Sequence, residues 1–229
     1  MKRLLAWILA LSCVFALSAC NPGNTTTGGK DTLTAVADMY KNSAPTKTVV
    51  KSEQKFGDLT LKSEQTLVSG EILYEGEWKK AAVYQWKEQQ RAKVEEEIGP
   101  TKWVSGSLEY VDGLGVRENK GKWKEGTDFT PSIGQMALNL TASALTDVSY
   151  NEGAKTLTFT VKAENLTKVF GENTPLTEDV AVTIVNDGAV ITDVVIDYSE
   201  PATEELPKGK QITVRTTYSY DNEKVTLLK

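Results

Sequence analysis

An α+β domain, a large antiparallel sheet with helices against one face, is the architecture this sequence predicts, and three observations predict it. Runs of alternating β-branched and aromatic residues recur between Gly, Asp and Asn punctuation along most of the chain. Two segments with helical spacing, and a shorter third, each carry one apolar face that needs covering. The links between the runs are short enough for hairpins, so sequential strands run antiparallel. With 229 residues, 40% of them hydrophobic, the chain is long enough to bury a sizeable core.

The chain starts with a segment that is not part of that domain. Lys2 and Arg3 precede an apolar run from Leu4 to Leu17. At ~1.5 Å per residue this run makes a helix of roughly 21 Å, short of the ~30 Å hydrocarbon core, so it reads as a signal-peptide core and not a lasting span. Leu17-Ser18-Ala19-Cys20 follows and resembles the lipobox of bacterial lipoproteins. The resemblance implies cleavage after Ala19 and a diacylglyceryl anchor on Cys20. The plainer reading of Cys20 is a free thiol left by ordinary secretory cleavage. Cys13 lies within the leader and the sequence has two Cys, so the processed chain keeps one and can form no internal disulfide. Residues 20–30 include Asn21-Pro22-Gly23-Asn24-Thr25-Thr26-Thr27-Gly28-Gly29-Lys30, which has nothing large to bury and reads as a flexible tether. The domain boundaries expected are therefore 1–19 for the leader, 20–30 for lipidated Cys and tether, and 31–229 for one binding domain.

Within that domain, Leu33, Val36, Ala37 and Tyr40 fall at helical spacing in Asp31 to Asn42, with Pro45 just beyond. A meander of strands is expected next: Thr46 to Phe56, Leu59 to Val68, Ile72 to Trp78, Lys80 to Glu88, Arg91 to Glu97, Lys102 to Val111 and Gly115 to Lys124. Lys87 to Glu97 also has good helix propensity, which leaves a short helix open there. Thr130-Pro131-Ser132 caps a second helix containing Ile133, Met136, Ala137 and Leu140. Strands Asp147 to Tyr150 and Lys155 to Lys162 precede a third helix, Ala163 to Phe170, stopped by Gly171. Asp179 to Val185 and Ala189 to Tyr198 form a hairpin about Asp187-Gly188. Gln211 to Tyr218 and Glu223 to Leu228 end the series.

A sheet of about ten strands must curl, split or close. This element order, with its first helix Asp31 to Asn42 and mid-chain helix near Ile133 to Leu140, resembles the LolA/LppX-like family of lipoprotein and lipid carriers. The resemblance implies a curved half-barrel with about three helices on its concave face and an apolar cavity between them. Candidate lining residues are Leu33, Val36, Tyr40, Ile133, Met136, Leu140, Leu157 and Phe159. The same side chains at the same spacing also suit a filled core.

Chemistry is constrained mainly by what is missing. The sequence has no His, which removes the usual general base, zinc ligand and nucleophile partner. No Walker loop, dinucleotide fingerprint or Gly-x-Ser-x-Gly turn occurs. Acidic groups such as Glu95-Glu96-Glu97, Glu204-Glu205 and Asp221-Asn222-Glu223 lack a calcium-loop pattern and read as solvated surface. A formal charge of −5 argues against a nucleic-acid partner. Trp78 and Trp86 are eight apart, so an unbroken strand would aim both to one face; Trp103 and Trp123 are further aromatics for core packing, sugar stacking or a protein partner. No cofactor, metal or catalytic residue is expected. The reading is a non-catalytic extracytoplasmic lipoprotein, anchored to the outer face of a membrane, first of all a Gram-positive cytoplasmic membrane, and binding an apolar or lipid-like ligand. The alternative is a protein or cell-wall interaction module with a solidly packed core.

Overall fold

The computed structural model describes residues 29–57, 59–94, 97–125, 138–172, 174–204, 209–221 and 224–228. The leader, Ala19, Cys20, Ile133 and Met136 lie outside them. In chain order the described elements are α1 (Gly29–Asn42), β1 (Lys47–Phe56), β2 (Leu59–Tyr74), β3 (Glu77–Val94), β4 (Glu97–Val111) and β5 (Gly115–Glu118). They continue with β6 (Leu145–Asn151), β7 (Thr156–Val161), α2 (Leu166–Phe170), β8 (Val180–Asn186), β9 (Ile191–Glu200) and β10 (Lys210–Ser219).

The strands form a large open antiparallel sheet of ten, in the order β5-β4-β3-β2-β1-β10-β9-β8-β7-β6. Each half is a meander, and the halves join where β1 pairs with β10, from Lys47 opposite Ser219 to Phe56 opposite Lys210. Residues opposite one another in an antiparallel pair share a face, so the registers sort every strand residue to one of two faces.

On the first face, Val50, Ile212, Val214, Val194, Ile196, Val182, Ile184, Leu157 and Phe159 form a continuous buried layer over β1 and β7 to β10. α1 lies on it because Leu33 and Val36, one turn apart, are 3% and 2% exposed. Asp31 in the first turn and Lys41 in the last complement its dipole, and the Ser43 hydroxyl donates to Met39 O at 2.7 Å near its end. Leu166, Val169 and Phe170 of α2 and the irregular stretch with Leu138 and Leu140 complete the cover.

A second cluster occupies the opposite face at the other end of the sheet. Ala81, Val83 and Val111 meet Val225 of the C-terminal segment, with Trp123, Leu227 and Leu228 packed around them. The sheet is thus covered on different faces at its two ends.

Several expectations change. β2 runs unbroken from Leu59 to Tyr74, because Gly70 pairs with Ala81 in the ladder. β3 continues to Val94, and the helix-prone stretch is strand because Gln89 to Arg91 pair with Thr101 to Trp103. Residues 224–228 are not a strand but a packed strap. β5 ends at Glu118, ahead of a turn, with the isolated bridge from Val116 to Lys124 beyond it. Of about three helices, the described residues contain two α-helices, plus 3-10 turns at Ala142–Ala144 and Ala163–Asn165. Leu138 to Leu140 is irregular chain, tied by Asn139 N–H donating to Val169 O at 2.9 Å, and the rest of the expected middle helix lies outside the described residues.

Candidate functional site: two clefts on opposite faces

The first cleft lies on the helix-bearing face, beyond the end of α1, and encloses about 440 Å³. Pro45 forms one wall, while Ser69 and Glu71 of β2, Lys80 and Ala82 of β3 and Tyr110 of β4 form the floor. Its wall is fixed by main-chain bonds: Thr46 N–H donates to Ser219 O at 2.9 Å, and Ser69 N–H to Thr46 O at 2.8 Å. Two residues past the Glu71–Lys80 pair, Leu73 stands opposite Trp78 on the same face. They are 58% and 65% exposed, at the tip of the β2–β3 hairpin. On the cleft's inner side Tyr84 donates to Gln65 Oε1 at 3.1 Å. Burial, and then the Glu88 carboxylate, push the Tyr84 phenol above its ordinary value, keeping it a neutral donor.

The second cleft, of about 500 Å³, is polar and lies on the opposite face. Glu64 of β2, Gln85 and Lys87 of β3, Ser105 and Ser107 of β4, Asn119, Lys120 and Leu228 are among the residues that line it. Leu228 is held there by a buried ion pair. Arg117 donates to Glu109 through Nε at 2.7 Å and a terminal nitrogen at 3.0 Å; that same nitrogen donates to Leu228 O at 3.0 Å. Leu228 N–H donates back to Glu109 Oε1 at 2.7 Å. Glu109 is fully buried, and the hydrogen bond to it raises the Arg117 pKa against the opposing effect of burial. The Arg117 guanidinium also stacks on Trp123, 4.8 Å from the ring centre.

The sequence-predicted lining residues are brought together, but as a packed layer. Leu33, Val36, Leu140, Leu157 and Phe159 are buried in the large cluster and Tyr40 packs against its edge. None of them lines either cleft. Trp78 and Trp86 do share a face, as their even spacing requires in an unbroken β3. Leu73 carried no sequence signal of its own, since its exposure follows from hairpin register and the lack of a described cover. Lys120 falls within the strand expected from Gly115 to Lys124, and an Asn at the first position of its turn is the local sign of the break. Among the described residues no three His, Cys, Asp or Glu side chains are grouped to hold a metal. Among those residues, too, no helix is long and apolar enough to cross a membrane.

No family model and no curated protein matches the sequence. Two solved structures are similar in outline. A DUF1329 family protein from Desulfovibrio piger ATCC 29098 is 9% identical, covering 87% of this chain and 96% of its own, with a TM-score of 0.29. A provisionally named outer membrane lipoprotein-sorting protein domain from Vibrio parahaemolyticus is 12% identical, covering 83% and 93%, with a TM-score of 0.26. Similarity of this degree assigns neither a family nor a function.

Proposed function

We propose that this protein is an extracytoplasmic, membrane-anchored binding protein for an apolar or lipid-like ligand, non-catalytic, with its anchor on Cys20. The observation that carries the reading is the exposed Leu73–Trp78 pair, on the same face as the first cleft and two residues beyond its Glu71 and Lys80. Fully burying a side chain of this size stabilises by ~1.5–3 kcal/mol, so two left in water at one hairpin tip forgo several kcal/mol that an apolar ligand or a bilayer surface recovers. A cleft of about 440 Å³ falls within the ~300–1,000 Å³ of small-molecule sites. An acyl tail passing the tip meets Ala82 and Tyr110, with the Glu71–Lys80 pair at the rim for a polar headgroup. Beyond Ala82 the same face carries Leu67 and Tyr84, where the cleft's floor runs into the packed layer.

Native mass spectrometry of the protein extracted from membranes tests this. Added mass beyond the acyl anchor, reduced in a Leu73→Ser/Trp78→Ser variant, is the expected result. A protein carrying no lipid before or after incubation with phospholipid vesicles replaces this reading with that of a packed interaction module.

A further inference from the structure

We propose that the polar cleft on the far face is a second binding site, for an acidic glycan strand, with Trp103 as its stacking platform and Lys120 as its cationic contact. Trp103 is 52% exposed and lies two residues before Ser105 on the same face of β4, about 7 Å along the strand. Lys87 bridges the two: its ammonium sits 5.9 Å from the Trp103 ring centre, and Lys87 also lines the cleft. A flat indole beside a groove that offers the neutral groups of Gln85, Ser105 and Ser107, with its one acidic side chain, Glu64, paired to Lys87, matches a pyranose, whose C–H face packs on an aromatic ring while its hydroxyls meet those groups.

The rim of this cleft holds a backbone anomaly. Asn119 and Lys120, at φ 47° and 61°, are the only consecutive non-glycine residues with positive φ among those described. Gly121 N–H donates to Glu118 O at 2.8 Å, which closes a type I′ turn around them. The turn is fastened to β4 twice, by Asn119 N–H to Ser107 O at 3.0 Å and Ser107 N–H to Asn119 Oδ1 at 2.9 Å. Asn tolerates this conformation, but Lys at the second position does so at a cost that Gly would avoid. Backbone strain of this kind clusters at functional sites, and here it presents Lys120 at the cleft. Lys120 makes no ion pair among the described residues, while Lys87 is taken by Glu64 at 3.1 Å. The free positive charge at the rim selects a sugar bearing a carboxylate. The opposite wall is rigid, since Leu228 is locked by Glu109 and Arg117.

The site lies on the face opposite the apolar cleft and is independent of it. Titration of the purified protein with peptide-free glycan strands of alternating N-acetylglucosamine and N-acetylmuramic acid, read by tryptophan fluorescence and calorimetry, tests it. Saturable binding is expected, weakened about tenfold by Trp103→Ala, which deletes the stacking contact. Lys120→Gly should weaken binding while raising Tm, a pairing that a merely structural lysine does not produce. Neutral chitohexaose should bind more weakly than the acidic strand, and inorganic phosphate should not compete. No binding at millimolar strand, unchanged affinity in either variant, equal affinity for chitohexaose or competition by phosphate overturns the proposal. The lipid mass seen by native mass spectrometry should be the same in wild type and Trp103→Ala, so the two sites fail separately.

Discussion

Asp187 shows how one side chain can organise a hairpin. Its Oδ1 accepts from Val190 N–H at 2.9 Å and Ala189 N–H at 2.8 Å, bending the chain between β8 and β9. Those bonds, Val190 first and Ala189 next, favour the ionised carboxyl and hold its pKa below the ordinary value. A depressed folded-state pKa contributes stability that is present above the unfolded-state value, near 4, and lost as pH falls through the folded one. Asp187→Asn should therefore lower Tm at pH 7 more than at pH 3, and equal losses at the two pH values would remove Asp187 from that role. This hairpin is legible in sequence, because an Asp-Gly pair between β-branched arms is a local signal. Gly115 is another such residue: at φ 88°, it approaches the Lys124 carbonyl so closely that a Cβ there would collide. Gly106 carries no comparable local cue. The Trp86 ring lies across it from the neighbouring strand, with an added Cβ only 2.7 Å from the indole.

Among the elements, the C-terminal strap has the most to lose from a single change. Without Val225, Leu227 and Leu228, the Ala81–Val83–Val111 surface faces solvent. The strap is fastened through Glu109 and Arg117, a pair whose acid is fully buried. Removing one partner of a buried pair typically costs ~3–5 kcal/mol, because the other charge stays desolvated. Glu109→Gln should approach that loss in urea unfolding, and Arg117→Met added to it should cost little more, giving a coupling energy above ~1 kcal/mol. Additive losses would mean that the strap is held by its apolar residues alone. Periodicity identifies residues 224–228 as apolar chain but not as a strap, since alternation is the same whether a segment pairs edge to edge or lies across a face. The α1 helix is encoded locally: its apolar stripe, acidic first turn and basic last turn agree with one another.

For the whole molecule, the proposed location rests on Cys20 and the proposed ligand on the sheet. Cys20→Ala should shift the protein from the membrane to the soluble fraction or leave it as an uncleaved precursor, with no incorporation of labelled fatty acid. Labelling equal to wild type would refute the anchor. The two clefts open on opposite faces of one sheet, which no single-face description of the sheet would suggest.

What the sequence determined by itself is whatever a few neighbouring residues can encode: the apolar stripe of α1, the Asp187 turn, the strand alternation, and the shared face of Trp78 and Trp86. The tertiary structure alone decided that β1 lies beside β10, that the helices cover one end of the sheet and the strap the opposite face at the other, and that Leu73, Trp103 and Lys120 border clefts. The physical reason is range. A strand's period of two fixes which residues share a face, but which face is buried depends on partners such as Leu33 and Leu228, far away along the chain.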